Sequence, residues 1–374
     1  MKKIAIIGAS YLQEPIVRKA KEMGLYTICF AWLEGATCVD ICDKFYPVSI
    51  TEKEEILRIC KEEKIDAICT IASDTAIIAV NYVASQMGLI ANDDHYSVAC
   101  TNKYAMRECF IKNNIPSPKY TLVSHDNQIN VNGFSYPLIV KPTDRSGSRG
   151  VEKILCADQL KLAVSRAQEA SFSNEAIIEE FVEGREISVE AISYKGQHYI
   201  LQITDKVTTG APYFVELAHH QPTSLPFDIQ QRVRLIVLES LKALHIEYGA
   251  SHSELKVTPD GEIKVIEVGA RMGGDFIGSN LVQLSTGYDF LKGVIEVALG
   301  TFEEPRIIEH CCSGVYFLCK ETEWLKEVIH KSKKYPEIVE ARITDESLHE
   351  VQCSGDRSGY VIYKGESKFE FEKS

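Results

Sequence analysis

Along the first ninety residues, short apolar runs alternate with longer stretches whose apolar residues recur at helical spacing. Ile4 to Ile7, Leu25 to Phe30 and Ala67 to Ile71 are such runs, and Thr51 to Lys64 is one of the amphipathic stretches between them. That rhythm predicts βαβ units and a parallel sheet. The pattern changes between Asn92 and Pro118. A helix beginning near Thr101 ends at Asn113-Asn114, and Pro116 and Pro118 forbid its continuation. From Tyr120 to about Gly300 strands dominate, many in hairpins, with helices at Ala157 to Ala170 and Asp228 to Leu244. The tail holds an apolar run from Gly314 to Leu318, a helix around Thr322 to Ser332, and a closing pair of strands at Gly359 to Tyr363 and Lys368 to Phe371. The expected fold class is α/β and α+β: a parallel α/β unit over 1–95, a central α+β domain over 96–305 with a linker helix near 101–114, and a small α+β unit over 306–374.

The size, 374 residues, accords with two or three domains, and no internal repeat is visible. With 41 Lys and Arg against 53 Asp and Glu the net charge is −12, and no Lys/Arg-rich block offers a surface for a polyanion. A nucleic-acid partner is therefore not expected, and any phosphate bound must be small. The 12 cysteines fall mostly inside apolar runs, with no CxxC and no matching His pair, so they read as reduced, buried, small hydrophobes. No 18-residue apolar run and no signal-peptide cleavage pattern follow the amino terminus, so a cytoplasmic protein without a membrane partner is expected.

Gly8-Ala9-Ser10 follows the first strand where a dinucleotide fold places its glycine-rich turn. Ser10 and Gln13 occupy the positions of the other glycines, and the second strand ends Phe30-Ala31-Trp32 without a ribose-binding acid, which argues against a nicotinamide site. The more telling stretch runs from Ser251 to Arg271. Pro259-Asp260-Gly261 marks a hairpin, and a two-residue turn closed by Thr258 and Gly261 puts Glu254 opposite Val265 and diagonal to Glu267, both carboxylates on one face. Diagonal neighbours are about 7–8 Å apart, which suits two acids sharing a divalent cation; oxygen-only ligands point to Mg²⁺ or Mn²⁺.

Upstream, the apolar strand Pro137 to Val140 ends on Lys141 and is followed by Thr143-Asp144-Arg145-Ser146-Gly147-Ser148-Arg149-Gly150. A lysine there is costly unless paired, and the Gly/Ser loop can wrap anionic oxygens, as a phosphate lid does. Between Ala176 and Glu190, two β-rich runs flank a short connection that exposes backbone groups at Glu180 and Val182, suited to the edge of an adenine ring, with Glu186 able to accept from ribose hydroxyls.

The order of these pieces resembles the ATP-grasp superfamily over nearly the whole chain: Lys103 in a helix, Lys141 with its loop, Glu179-Glu180-Phe181-Val182 with Glu186, then Glu254, Glu267 and Arg271. Closest in pattern are carboxylate-amine ligases related to the L-amino-acid (dipeptide) ligases, and the tail is similar to that of biotin-carboxylase-like members. The resemblance implies that Lys103 and Lys141 contact nucleotide phosphates while Ser146, Gly147, Ser148 and Gly150 close over them. It implies Glu180 and Val182 at adenine, Glu179 near the exocyclic amine, Glu186 on the ribose, Glu254 and Glu267 on two magnesium ions, and Arg271 at the transferring phosphoryl group. Phe214 to His219 and Gly269 to Asp275 resemble the substrate-side signatures, which makes Glu216, His219, Gly273, Gly274 and Asp275 substrate-binding candidates, His220 a further proton relay, and leaves Lys206 and His252 outside the set. The family often has Asn two residues after the second metal Glu; here that position is Gly269.

The implied activity is ATP-dependent joining of a small-molecule carboxylate and an amine, one of them an amino acid, through an acyl phosphate, with ATP and magnesium as cofactors and a homodimer as the expected assembly. Two alternatives stand beside it: a bicarbonate-activating or carbamoyl-phosphate-type enzyme, and a nucleotide-binding regulatory module that has lost turnover.

Overall fold

The computed structural model describes residues 1–124, 129–147 and 149–371. Strands β1 (Lys3–Ile7), β2 (Tyr26–Phe30), β3 (Lys44–Tyr46) and β4 (Ala67–Cys69) form an all-parallel sheet in the order β3-β2-β1-β4, with helices α1 (Glu14–Glu22), α2 (Lys53–Glu63) and α3 (Asp74–Met87) between strands or after the last. Its strands are apolar at nearly every position because both faces are covered. Ala5, Ile7, Ile28 and Phe30 pack on α2 and α3, while Ile4, Ile6 and Cys29 face α1.

A short helix α4 (Ser97–Thr101) leads into α5 (Lys103–Lys112), which starts where the Asn102 side chain accepts from the Ala105 N–H at 3.0 Å. Strands β5 (Tyr120–Val123), β6 (Leu138–Pro142), β7 (Glu152–Ile154) and, after helix α6 (Ala157–Ala170), β8 (Ala176–Glu180) make an antiparallel sheet ordered β5-β8-β6-β7. Leu138, Val140 and Ile178 pack on α6; their neighbours in the alternation, Ile139, Lys141 and Glu179, face the other way.

The largest sheet begins with β9 (Arg185–Tyr194), β10 (Gln197–Thr208) and β11 (Glu216–Gln221), continues after helix α7 (Phe227–Ala243) with β12 (Gly249–Val257) and β13 (Ile263–Gly269), and is extended by β14 (Cys312–Leu318), β15 (Ile338–Ile343) and β16 (Gly359–Gly365). Its order is β13-β12-β9-β10-β11-β14-β16-β15, so the tail continues the central sheet through β11 and β14. Helices α8 (Val282–Thr286) and α9 (Phe290–Leu299) follow β13, and α9 packs with α1 against the first sheet. Helix α10 (Leu325–His330) precedes β15.

Two expectations for the tail are corrected. Lys368 to Phe371 is not a strand: Phe369 and Phe371 pack into the α10 cluster from irregular chain, and the strands paired with Gly359 to Tyr363 are β14 and β15. The helix around Thr322 to Ser332 is shorter, with α10 flanked by separate 3₁₀ turns. All 12 cysteines are free thiols, six of them buried. Among the described residues no helix is long and apolar enough to cross a membrane.

Candidate active site

Strict alternation builds one wall of a cleft. In β9, Ile187, Val189 and Ala191 enter the core beneath α7, so Glu186, Ser188 and Glu190 take the opposite face. In β12, Leu255 and Val257 face that core, which sends His252, Glu254 and Lys256 to the polar side. Lys206 of β10 and Glu267 of β13 join them. The facing wall is the polar side of the smaller sheet with Lys141, Glu179 and Ile139, closed at one end by Lys103 at the start of α5 and by Arg145, Ser146 and Gly147. The enclosed space is about 210 Å³, and Pro118, Phe181, Phe214 and Ile266 give it apolar surfaces suited to a flat ring.

The hairpin register differs from the expected one. Three residues, Pro259 to Gly261, separate Thr258 and Glu262, whose main chains pair through a 2.9 Å bond from Thr258 N–H to the Glu262 carbonyl. A bulge between Glu254 and Leu255 then slips the ladder again, so Glu254 lies directly opposite Glu267 and not diagonal to it. Both remain on one face, and the direct pairing brings their backbones closer.

Each carboxylate is matched by a cation. Lys206 Nζ lies 2.7 Å from Glu254, 3.0 Å from Glu186 and 3.4 Å from Glu216. Burial alone would push its pKa down, but these three carboxylates hold it well above the usual lysine range. Burial would raise Glu254, and Lys206 with His252 keeps it far below. Lys256 binds Glu186 at 2.9 Å, and Lys103 Nζ binds Glu267 at 3.0 Å and the Arg145 carbonyl at 2.6 Å. His252 is sandwiched between Glu190 and Glu254; burial disfavours its charge, yet Glu190 raises its pKa to about 9.

Deeper, Glu179 is 3% exposed and forms ion pairs with Lys141 Nζ at 2.7 Å and Arg107 Nε at 2.9 Å. Burial opposes its charge, and Arg107 and Lys141 outweigh burial and lower its pKa. For Lys141 burial wins, helped by Arg107 and Lys103, and its pKa falls. Glu179, expected near the exocyclic amine of adenine, lines the cleft and is held there by two cations. The Glu180 N–H is likewise engaged, by the Lys119 carbonyl at 3.0 Å.

The cleft brings together Lys103, Lys141, Ser146, Gly147, Glu179, Glu180, Val182, Glu186, Glu216, Glu254, Glu267 and Arg271. Ser148 lies outside the described residues. Gly150 does not line the cleft: at φ +71° it packs so closely that a Cβ would sit 3.0 Å from the Pro142 ring. Gly273, Gly274 and Asp275 also lie outside it. The Gly273 N–H is not free for a substrate anion but donates to Glu190 at 2.9 Å, and Asp275 is gripped by Arg357 through bonds of 2.9 and 2.7 Å. His219 is fully buried one strand beyond Lys206, its cross-strand partner, and burial lowers its pKa and keeps the ring neutral.

Sequence reasoning missed Asp74, Arg107, Glu190 and Lys256, and set aside Lys206 and His252. The alternation in Arg185 to Ala191 and in Ser251 to Val257 would have placed Glu190, His252 and Lys256 on the face of Glu186 and Glu254. Asp74 carries no such signal, since it reaches Arg271 across 197 residues of chain.

The donor chemistry fits a divalent cation. Glu254 and Glu267 offer hard oxygen ligands side by side. Among the described residues no three His, Cys, Asp or Glu side chains group closely enough to hold a metal ion by themselves. Phosphate oxygens and water would have to complete its shell.

Residues 134–279, the part of the chain that builds both cleft walls, match the ATP-grasp domain family. That segment carries an ATP-grasp domain, and the curated relatives that match the chain include ligases. It is 27% identical over 220 residues to a D-alanine--D-alanine ligase of Aromatoleum aromaticum, covering 56% of this chain and 68% of that protein. It is 26% identical over 245 residues to an alanine--anticapsin ligase of Bacillus subtilis, covering 59% of this chain and 51% of the relative. In fold it matches an L-amino acid ligase from Bacillus licheniformis with a TM-score of 0.83 at 23% identity, over 98% of this chain and 94% of that one.

Proposed function

We propose that the protein joins a carboxylate to an amine at the expense of ATP, through an acyl phosphate, with an amino acid as one substrate. The observation that carries this reading is the convergence of Lys103, Lys141 and Arg271 on the cleft that holds the Glu254–Glu267 pair. Such a site supplies charge neutralisation and positioning, which is what phosphoryl transfer requires. The relatives that join alanine to a second molecule support an amino-acid substrate.

In this reading Phe181, Phe214 and Ile266 sandwich the purine, Glu186 meets the ribose, and Lys103 and Lys141 neutralise phosphate oxygens. Glu254 and Glu267 would hold magnesium, which supplies charge neutralisation along the phosphates when bound. A substrate carboxylate oxygen attacks the γ-phosphorus as the bond to ADP breaks. Arg271 faces the charge that develops there. The amine nitrogen then attacks the acyl carbon, and phosphate leaves with the electron pair of its C–O bond. Protein nucleophiles are not needed. Lys206 ties Glu186, Glu216 and Glu254 into one array on the cleft wall.

Hydroxylamine offered in place of the amine tests the intermediate. An acyl phosphate yields a hydroxamate of the amino acid, formed only with ATP and Mg²⁺ present. ADP formation that depends on bicarbonate, with no hydroxamate from any amino acid, would contradict the proposal and favour bicarbonate activation.

A further inference from the structure

Asp74 opens α3 at the carboxyl end of the parallel sheet, yet its side chain lines the nucleotide cleft. Arg271 donates to both of its oxygens, Nε to Oδ1 and Nη2 to Oδ2, each at 2.8 Å. A main-chain bond from the Ala72 N–H to the Met272 carbonyl, 3.1 Å long, pins the two segments together beside this pair. A Cβ built at Gly269 would lie 2.5 Å from Asp74 Oδ1 and 3.1 Å from Arg271 Nε. A side chain there meets the Asp74–Arg271 pair head-on, and the pair must shift to make room for it. The missing side chain at 269 and the carboxylate at 74 are thus one feature, contributed by two distant parts of the chain.

We infer that Asp74 is a positioning residue for Arg271, delivered into the cleft by the first α/β unit, and that position 269 is bare in order to admit it. The inference rests on the role proposed above for Arg271 at the γ-phosphoryl group. Arg271 lies among three carboxylates, since Glu254 and Glu267 act on it as well as Asp74. Without Asp74 its nearest counter-charges are the two acids assigned to the cation, and in a poorly screened cleft that attraction is strong. Asp74 takes two of the five guanidinium N–H donors in a bidentate grip and keeps the group off Glu254 and Glu267; Nη1 reaches the Met272 carbonyl at 3.4 Å, and two donors are left for the nucleotide.

The test compares the binding of Mg·ADP with that of Mg·AMP-PNP, a non-hydrolysable ATP analogue, by calorimetry on the full chain. Asp74→Ala weakens the analogue about tenfold and ADP less than about twofold, because Arg271 addresses a group that ADP lacks. Asp74→Asn, which keeps one acceptor, falls between and carries the comparison should the alanine variant not fold. Gly269→Ala reproduces the loss in the wild-type background and adds nothing in the Asp74→Ala background. Equal weakening of both nucleotides makes Asp74 a structural contact only and overturns the inference. So does a Gly269→Ala penalty that persists undiminished without Asp74. Neither readout requires turnover, so the outcome is separable from the success or failure of the ligase assay.

Discussion

At the scale of single residues, the cleft stores charge in buried clusters whose members cannot be removed singly without penalty. Glu179 is the sharpest case, an acid at 3% exposure between Arg107 and Lys141. Glu179→Gln keeps the shape and leaves two buried cations facing each other. Breaking a buried pair costs about 3–5 kcal/mol, and the loss is read as a lower midpoint in urea unfolding of the nucleotide-free protein. A midpoint unchanged from wild type would mean that water already screens the cluster. Glu267→Gln acts on function as well: it abolishes Mg²⁺-dependent phosphate release, and because the buried Lys103 loses its partner the unfolding midpoint also falls, by less than for Glu179→Gln since Glu267 is only half-buried. Lys141 was conspicuous in the sequence because it ends an apolar run, whereas Lys206 and Lys256 were passed over in alternating strands. Asp74 and Arg107 were not conspicuous either, since their meaning lies in partners brought from far along the chain.

At the scale of elements, period-two alternation assigns faces reliably and pairings poorly. The all-parallel unit was legible because its strands are covered on both sides and read as unbroken apolar runs. Lys368 to Phe371 alternates like a strand, and its two phenylalanines do face one cluster, but no neighbour offers a ladder. Turn chemistry signalled the β12–β13 hairpin without specifying three residues in place of two, and the bulge at Glu254/Leu255 leaves no local mark. The connection from β8 to β9 tolerates little change. Gly184 adopts φ +152°, and a Cβ there would lie 2.3 Å from the Val257 carbonyl oxygen at the end of β12. Backbone cannot yield as a side chain can, so Gly184→Ala costs about 3 kcal/mol, the upper end of overpacking penalties. Equilibrium unfolding of that variant checks it, and a change under about 0.5 kcal/mol, the range of neutral surface substitutions, would show that the connection is free to move.

At the scale of the whole molecule, the three sheets are knit by elements that cross expected boundaries. Helix α9 packs on the first sheet, and β14 joins the tail to the central one. His220 sits at that second seam, 3% exposed, with its Nδ1 3.0 Å from the Tyr363 hydroxyl. Burial first, and then Lys368, lowers its pKa to about 3, against about 6.5 in an unfolded chain. Above about pH 6.5 the ring is neutral in both states and contributes nothing to the pH dependence. As pH falls below that value the unfolded chain gains a proton that the folded one refuses, so stability drops by at most about 1.4 kcal/mol per pH unit until about pH 3. His220→Gln removes this component. Midpoints measured from pH 7 to pH 4 should therefore fall more steeply for the wild type than for the variant, and parallel curves would place the titration elsewhere.

The net charge of −12 also takes on local meaning at this scale. Glu186, Glu190, Glu216, Glu254 and Glu267 bring five of the 53 acids to one site, where lysines and a histidine pair with them. The central claim is that this array activates a carboxylate for attack by an amine. Its most direct measurement is phosphate release from ATP and Mg²⁺ over paired amino acids, followed by mass spectrometry of the product. The predicted result is one phosphate per amide, with a product mass equal to the two substrates less one water. Tight nucleotide binding with no phosphate released by any carboxylate and amine would contradict it.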